Sequence, residues 1–379
     1  MQPKTKYILK QFDNSLLDFN MEVDAIDGLV VSNINEISRD MHPLDLGAIS
    51  DKGLTKWLTM RIIPKNRAFV HEILKALGVG SNDVKGIIDL CMGLSLNDCY
   101  WVVKADFDGK FADYNLYDNE FAKALSLIAY TGYGSNKGGF TTSPELTTNG
   151  MLRKAWRRLK DNKIYLFKGG SEGAFNTGRE PYSEFFASQI AEAMELNAVK
   201  YGVSKWKGIL CSTCELFTSK EEAFVPIGRL VLDVGLTAVL EYYKNIGEEA
   251  YQQIASMLIF DALICNEDRH FGNFGVMVDN KTGKIIGVAP IFDNGLSLFN
   301  YAMDDDFKNI DEYARTRLSA TGADHLDIAK AVIGKAQKEQ LRRLIGFKLK
   351  QHKTYPYTNN RVNAINKFLQ NRIKILLEL

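Results

Sequence analysis

The chain has 379 residues, 46% of them hydrophobic and 25% charged, with 47 Lys and Arg against 46 Asp and Glu. That is enough apolar material for roughly two buried cores, and it excludes a chain that is disordered throughout. No run approaches ~18 uncharged apolar residues, and the opening Met1-Gln-Pro-Lys-Thr-Lys leads into no apolar signal segment, so no membrane span is expected and a soluble cytoplasmic protein is.

Taken in chain order, the first ~130 residues read as mainly helical. Arg67 to Leu77 is an amphipathic segment ending at Gly78, and Asn119 to Tyr130 is another, ending at Gly132. Cys99 to Val103 reads as a short apolar strand between them. The segment Arg61-Ile-Ile-Pro-Lys-Asn-Arg67 reads as a solvated turn, or else a basic contact loop. The Gly132–Gly139 stretch, rich in Gly, Ser and Asn, suits a linker, which places a boundary near residue 135. Beyond it Lys163 to Lys168 is strand-like and stops at Gly169-Gly170, and Pro181 opens a helix running to about Leu196. Val199–Val203 and Gly208–Phe217 follow as strands, then a helical region from Leu230 to Ile264. Phe274–Val278 and Lys284–Phe292 form strands around Asp279-Asn-Lys-Thr-Gly283, a turn composition that suits a hairpin. Helices return from about Asp324. This order describes an α+β protein of two lobes behind an N-terminal domain: residues 1–135, then 136–217, then 218–379.

Charge and cysteines add less. Residues 1–135 hold 14 basic and 18 acidic side chains, residues 136–329 hold 21 and 26, and residues 330–379 hold 12 and 2. The basic end is spaced among Leu, Ile and Phe as in amphipathic helices, either as a solvated face or as a surface for an anionic partner such as nucleic acid or an acidic protein. The five cysteines are too few and too odd in number for a secreted disulfide framework. Cys211-Ser-Thr-Cys214 has no second half to complete a zinc site and reads as part of a strand.

Two polar clusters carry the chemistry. Asn266-Glu-Asp-Arg-His-Phe-Gly-Asn273 precedes the hairpin, and Phe292-Asp-Asn-Gly295 follows it. Phosphoryl transfer needs a carboxylate to orient the attacking hydroxyl, and an amide oxygen and a second carboxylate to hold Mg²⁺ against the phosphates. Asp268 and Asn273 have the spacing of a kinase catalytic loop, and Asp293 returns where a kinase places its second metal ligand. Upstream, Lys168 closes a strand and Glu184 sits in the first turns of the next helix, the positions of a phosphate-binding lysine and its partner. For the phosphate loop, Gly173–Arg179 lacks the Lys-Ser/Thr of a P-loop and is excluded. Thr147-Thr148-Asn149-Gly150, before the Lys168 strand, could face a triphosphate or form a simple turn.

The D-x-H-x-x-N string of Asp268, His270 and Asn273, with Asp293 beyond it, resembles the HipA-like serine/threonine kinases over roughly residues 140–379. Its Asp-Arg-His is also similar to phosphatidylinositol kinases of the same superfamily. The resemblance implies a bilobal protein kinase-like fold that binds ATP and requires Mg²⁺. It implies Asp268 as catalytic base, His270 steadying the transferred phosphate, Asn273 and Asp293 as metal ligands, and Lys168 with Glu184 on the ATP phosphates. Glu215 and Phe217 would form a hinge against adenine, and Thr147 or Thr148 would take the place of the family's self-phosphorylated serine. A Ser/Thr protein kinase follows, of toxin type with an antitoxin or DNA-binding partner. A lipid or small-alcohol kinase and a non-catalytic nucleotide-binding module are the alternatives.

Overall fold

The computed structural model describes residues 5–24, 28–38, 40–134, 143–232 and 235–379. From Ser135 onward the expected linker, with the boundary placed there, lies outside these residues. The chain forms two compact units. The first holds the described residues up to Leu166 together with Thr218–Val225 and Met277–Ile286; the second holds Phe167–Phe217, Pro226–Val276 and Gly287–Leu379.

In the first unit the strands Thr5–Gln11, Asn14–Asp24, Gly28–Glu36 and Tyr100–Lys104 form a four-stranded sheet. This corrects the expectation that the first ~130 residues are mainly helical. The alternation is there: Tyr7, Leu9 and Gln11 turn inward and their neighbours outward. What obscures it is outward Ile8, and a hairpin that reverses at Phe12-Asp13 with Phe12 at φ 51° in place of a glycine or asparagine. Register pairs Tyr7 with Phe19 and Leu9 with both Leu17 and Val102. Against this inward face pack Leu54, Trp57 and Leu58 of helix Asp51–Thr59, Ile73 and Leu74 of helix Val70–Ala76, and Ile87 and Ile88 of helix Val84–Cys91. The Ser50 hydroxyl caps the first of these helices by accepting the Gly53 N–H at 3.1 Å.

The Arg61–Arg67 segment is neither a solvated turn nor a contact loop. Arg61 makes a two-pronged bond to Asp98, 2.7 Å on each prong, and Arg67 pairs with Glu145 at 2.9 Å with both side chains fully buried. Proline and lysine between them made the stretch look wet, but the guanidinium groups point inward and are spent on carboxylates and carbonyls.

The second unit contains the hairpin Tyr201–Trp206 and Ile209–Glu215, whose turn is Lys207-Gly208. Both turn residues have positive φ, 53° and 80°, as a two-residue turn between right-twisted strands requires. Helix Glu180–Ala193 has Pro181 in its first turn, where no N–H is missed. Helix Glu248–Ile264 is buried without a break from Ile254 to its end. It is enclosed by helices His325–Val332, Lys335–Arg342 and Asn359–Glu378, and Gln337 and Arg372 bond to it directly. The basic end is therefore partly internal: Arg361 and Arg372 are buried, the former on Asp304. No helix among the described residues is long and apolar enough to cross a membrane.

Cys211 and Cys214 lie on strand Ile209–Glu215, and all five cysteines are free and buried. A three-residue offset on a strand sends the two side chains to opposite faces, so this CxxC cannot close on one ion. Burial pushes the Cys214 thiol up to about 12.

Candidate active site

Lys168, Glu184, Asp268, His270, Asn273 and Asp293 all belong to the second unit. Lys168 comes from strand Ile164–Gly169 and Glu184 from the first turns of helix Glu180–Ala193. The lysine Nζ donates to Glu184 Oε1 at 3.1 Å and also to Asp293 Oδ1. Glu184 is fully buried, and its second oxygen accepts the Asn294 N–H at 2.8 Å. Burial alone would lower the pKa of the Lys168 ammonium, but Asp293 and then Glu184 outweigh it, and the shift is upward. Burial raises the pKa of the Glu184 carboxyl, with Lys168 opposing. The result is a charged amine held at one place by two carboxylates.

The loop carrying Asp268, His270 and Asn273 begins where helix Glu248–Ile264 stops. Cys265 takes a left-handed conformation, φ 49°, and turns the chain back. The Asn266 side chain then accepts the Asp268 N–H at 3.1 Å and donates to Asp261 at 3.0 Å. The Asp268 carbonyl accepts from the His270 N–H at 2.7 Å and from Asn273 Nδ2 at 3.1 Å. With its nitrogen engaged in the loop, Asn273 has its side-chain oxygen left to offer a cation. The exposed His270 accepts the Gly272 N–H on Nδ1 at 3.0 Å, so a neutral ring carries its proton on Nε2. Burial raises the pKa of the Asp268 carboxyl; His270 opposes this and Asp293 adds to it. A carboxylate shifted toward neutrality is the better proton acceptor.

Asp293 has φ 54°, a left-handed conformation that side chains other than glycine adopt at a cost of about 1–3 kcal/mol. Its N–H donates to the Tyr201 hydroxyl at 3.1 Å. Two residues on, a Cβ at Gly295 would stand 3.6 Å from Lys168 Nζ and 3.5 Å from Glu184 Oε1, ordinary contact distances that place this backbone directly beside the amine.

Sequence reasoning missed Arg269. It is buried, and its guanidinium donates to both Asp261 oxygens at 2.9 and 3.0 Å, to the Asn273 carbonyl at 3.1 Å, to Asn294 Oδ1 at 2.5 Å and to the Phe292 carbonyl. A signal was available. Asp261 stands alone among apolar residues in Ile259-Phe-Asp-Ala-Leu-Ile264, and a buried carboxylate there demands a buried cation.

The other expected site residues are distributed as follows. Phe217 packs against Phe292 in a tilted pair, ring centroids 5.3 Å apart, next to Asp293. Glu215 ends its strand with an exposed side chain. Thr147, Thr148, Asn149 and Gly150 belong to the first unit. There they form a turn: the Thr148 hydroxyl donates to the Pro144 carbonyl at 2.6 Å and accepts from Trp156 Nε1 at 3.0 Å, while Lys154 Nζ donates to the Asn149 carbonyl at 2.8 Å.

As a donor set for Mg²⁺, Asn273 and Asp293 supply hard oxygens. Among the described residues no cluster of three or more His, Cys, Asp or Glu could hold a metal by itself. Two oxygen ligands fit an ion that keeps waters and takes the rest of its shell from phosphates.

No protein-family model matches the chain, and no curated protein matches it by sequence. Solved structures do resemble it in fold, among them these two. The Helicobacter pylori proinflammatory kinase CtkA is 20% identical over 59% of this chain and 93% of its own, with a TM-score of 0.48. HipA from the Shewanella oneidensis MR-1 toxin–antitoxin complex of HipA, HipB and operator DNA is 12% identical over 98% of this chain and 99% of its own, with a TM-score of 0.56. Along nearly its whole length, therefore, this chain has a HipA-like fold.

Proposed function

We propose that the chain is an ATP- and Mg²⁺-dependent kinase that phosphorylates a Ser or Thr hydroxyl of a protein. The observation that supports it most is the Lys168–Glu184–Asp293 cluster, with Lys168 and Glu184 buried, in one unit with the Asp268–Asn273 loop. Lys168 carries the charge that would meet the ATP phosphates, and Glu184 keeps it aimed. Asp268 takes the proton of the acceptor hydroxyl on its raised carboxylate, and His270 presents Nε2–H beside the same loop. Asn273 and Asp293 hold the cation, which when bound neutralises charge on the transferred phosphoryl group. Phe217, packed on Phe292, and Glu215 would lie at the adenine end. The five free cysteines suit a reducing, cytoplasmic setting.

Further parts of the proposal rest on the HipA-like fold. A toxin role with an antitoxin or DNA-binding partner is one, supported by the company in which HipA was solved and by the basic stretch 330–379. Self-phosphorylation at Thr147 or Thr148 is another. It requires that turn to open, because the Thr148 hydroxyl is engaged on both sides and Thr147 is buried.

The test is to supply γ-labelled ATP and Mg²⁺ with either lysate proteins or lipid vesicles. Label is expected on protein Ser or Thr. Label confined to lipid would replace the protein-kinase reading with the lipid one.

A further inference from the structure

We propose that Arg269 is a positioning residue that sets the distance between the two metal-holding side chains, Asn273 and Asp293, so that divalent-cation affinity depends on it more than nucleotide affinity does. This rests on the kinase reading above.

The geometry is specific. Arg269 grips the chain on both sides of Asp293, at the Phe292 carbonyl before it and the Asn294 side chain after it. A third bond goes to the carbonyl of Asn273 itself, 3.1 Å from Nη1. One planar guanidinium thus spans both cation-holding residues, although 20 positions separate them in sequence. Its remaining edge is fixed by Asp261 on helix Glu248–Ile264 through two bonds. Asp261 is in turn held by Asn266, so the anchor is part of the helix end that launches the catalytic loop.

Asp293 needs such support. Its left-handed backbone is unfavourable for a residue with a Cβ, and it persists only where neighbours over-determine it. The bonds flanking it are those of Arg269, the Tyr201 hydroxyl and Glu184. Lys168 approaches the Asp293 side chain and donates to it and to Glu184. Arg269 is thus a side chain whose hydrogen bonds reach both Asp293's loop and Asn273. An ammonium in its place cannot reproduce the fork, since three donors on a point cannot span five acceptors.

Arg269 touches no reacting atom, so its signature is in cation binding. The experiment compares wild type, Arg269→Lys and Asn294→Ala, the last removing one Arg269 acceptor while leaving the buried Arg269–Asp261 pair intact. Mn²⁺ binding is read by electron paramagnetic resonance in the presence of a non-hydrolysable ATP analogue, and analogue binding without divalent cation is read separately by calorimetry. Thermal melts report folding. The expected result is at least tenfold weaker Mn²⁺ binding for Arg269→Lys and at least threefold for Asn294→Ala, with cation-free analogue affinity within about twofold of wild type. Folded variants that bind Mn²⁺ as wild type does would overturn the inference, as would an equal loss in both measurements. If Arg269→Lys does not fold, Asn294→Ala decides alone. Wild type that binds neither the analogue nor Mn²⁺ would instead sink the kinase reading.

Discussion

At the scale of single residues the site depends on charges that are paired inside the protein, and their removal has directions that can be stated. Glu184→Gln takes away one of the two carboxylates that outweigh burial at Lys168. Phosphoryl transfer should fall by about 10–100-fold with a raised KM for ATP, as steady-state kinetics would show. The pH profile carries a second prediction. Burial disfavours the charged form of Asp268, so its deprotonation, and the acidic limb of kcat, should lie above the ordinary carboxylate range. His270 opposes that shift, so His270→Asn should move the limb to higher pH and cost more rate at pH 6 than at pH 8. A limb that moves down, or stays, would contradict the assignment of Asp268 as base. Sequence spacing singled out Asp268, Asn273, Asp293, Lys168 and Glu184, which the structure places in one unit, because each is a polar residue fixed by a motif or by an element boundary. Arg269 was not found, because its role lies in five contacts with residues up to 25 positions away, none of which periodicity encodes.

At the scale of elements, the buried ion pair Arg67–Glu145 and the Gly170–Gly178 approach are the points most exposed to change. Arg67→Met leaves the Glu145 carboxylate buried without its cation, which should cost about 3–5 kcal/mol in denaturant unfolding. Adding Glu145→Gln should recover part of that loss. A Cβ on Gly170 would stand 2.6 Å from the Cα of Gly178, backbone that cannot swing aside. Gly170→Ala should therefore destabilise by roughly 1–3 kcal/mol and disturb the turn between the Lys168 strand and the Glu184 helix, lowering activity as well. Near-wild-type melting and turnover would show that the loop has room the structure does not display. Elements of the second unit were legible because their ends are marked: Gly169-Gly170 after one strand, Pro181 opening a helix, Lys207-Gly208 in a turn. The strands Thr5–Gln11 and Asn14–Asp24 carry no such punctuation, since Phe12 supplies the positive φ where a glycine would have announced it.

On the scale of the whole molecule the near-zero net charge conceals an uneven distribution, and the basic stretch 330–379 is only in part a surface feature. Arg361 and Arg372 serve the interior, while Lys335, Lys348, Lys350, Lys353, Lys367 and Lys374 are exposed. If those lysines meet a nucleic acid, binding must weaken steeply as salt rises, and a titration between 50 and 200 mM salt would show it. Flat or absent binding would confine the stretch to packing. The likeness to HipA establishes a fold shared across nearly the full chain, whereas the proposed chemistry would depend on the side chains named above. The most direct measurement of that chemistry is ATP turnover with product mass spectrometry, for wild type and Asp268→Asn, alongside ATP binding by calorimetry. Wild type should phosphorylate Ser or Thr, and Asp268→Asn should bind ATP within a few-fold of wild type yet transfer phosphate at least ~100-fold more slowly. Undiminished transfer by Asp268→Asn, or ATP binding without any transfer by wild type, would contradict the central claim.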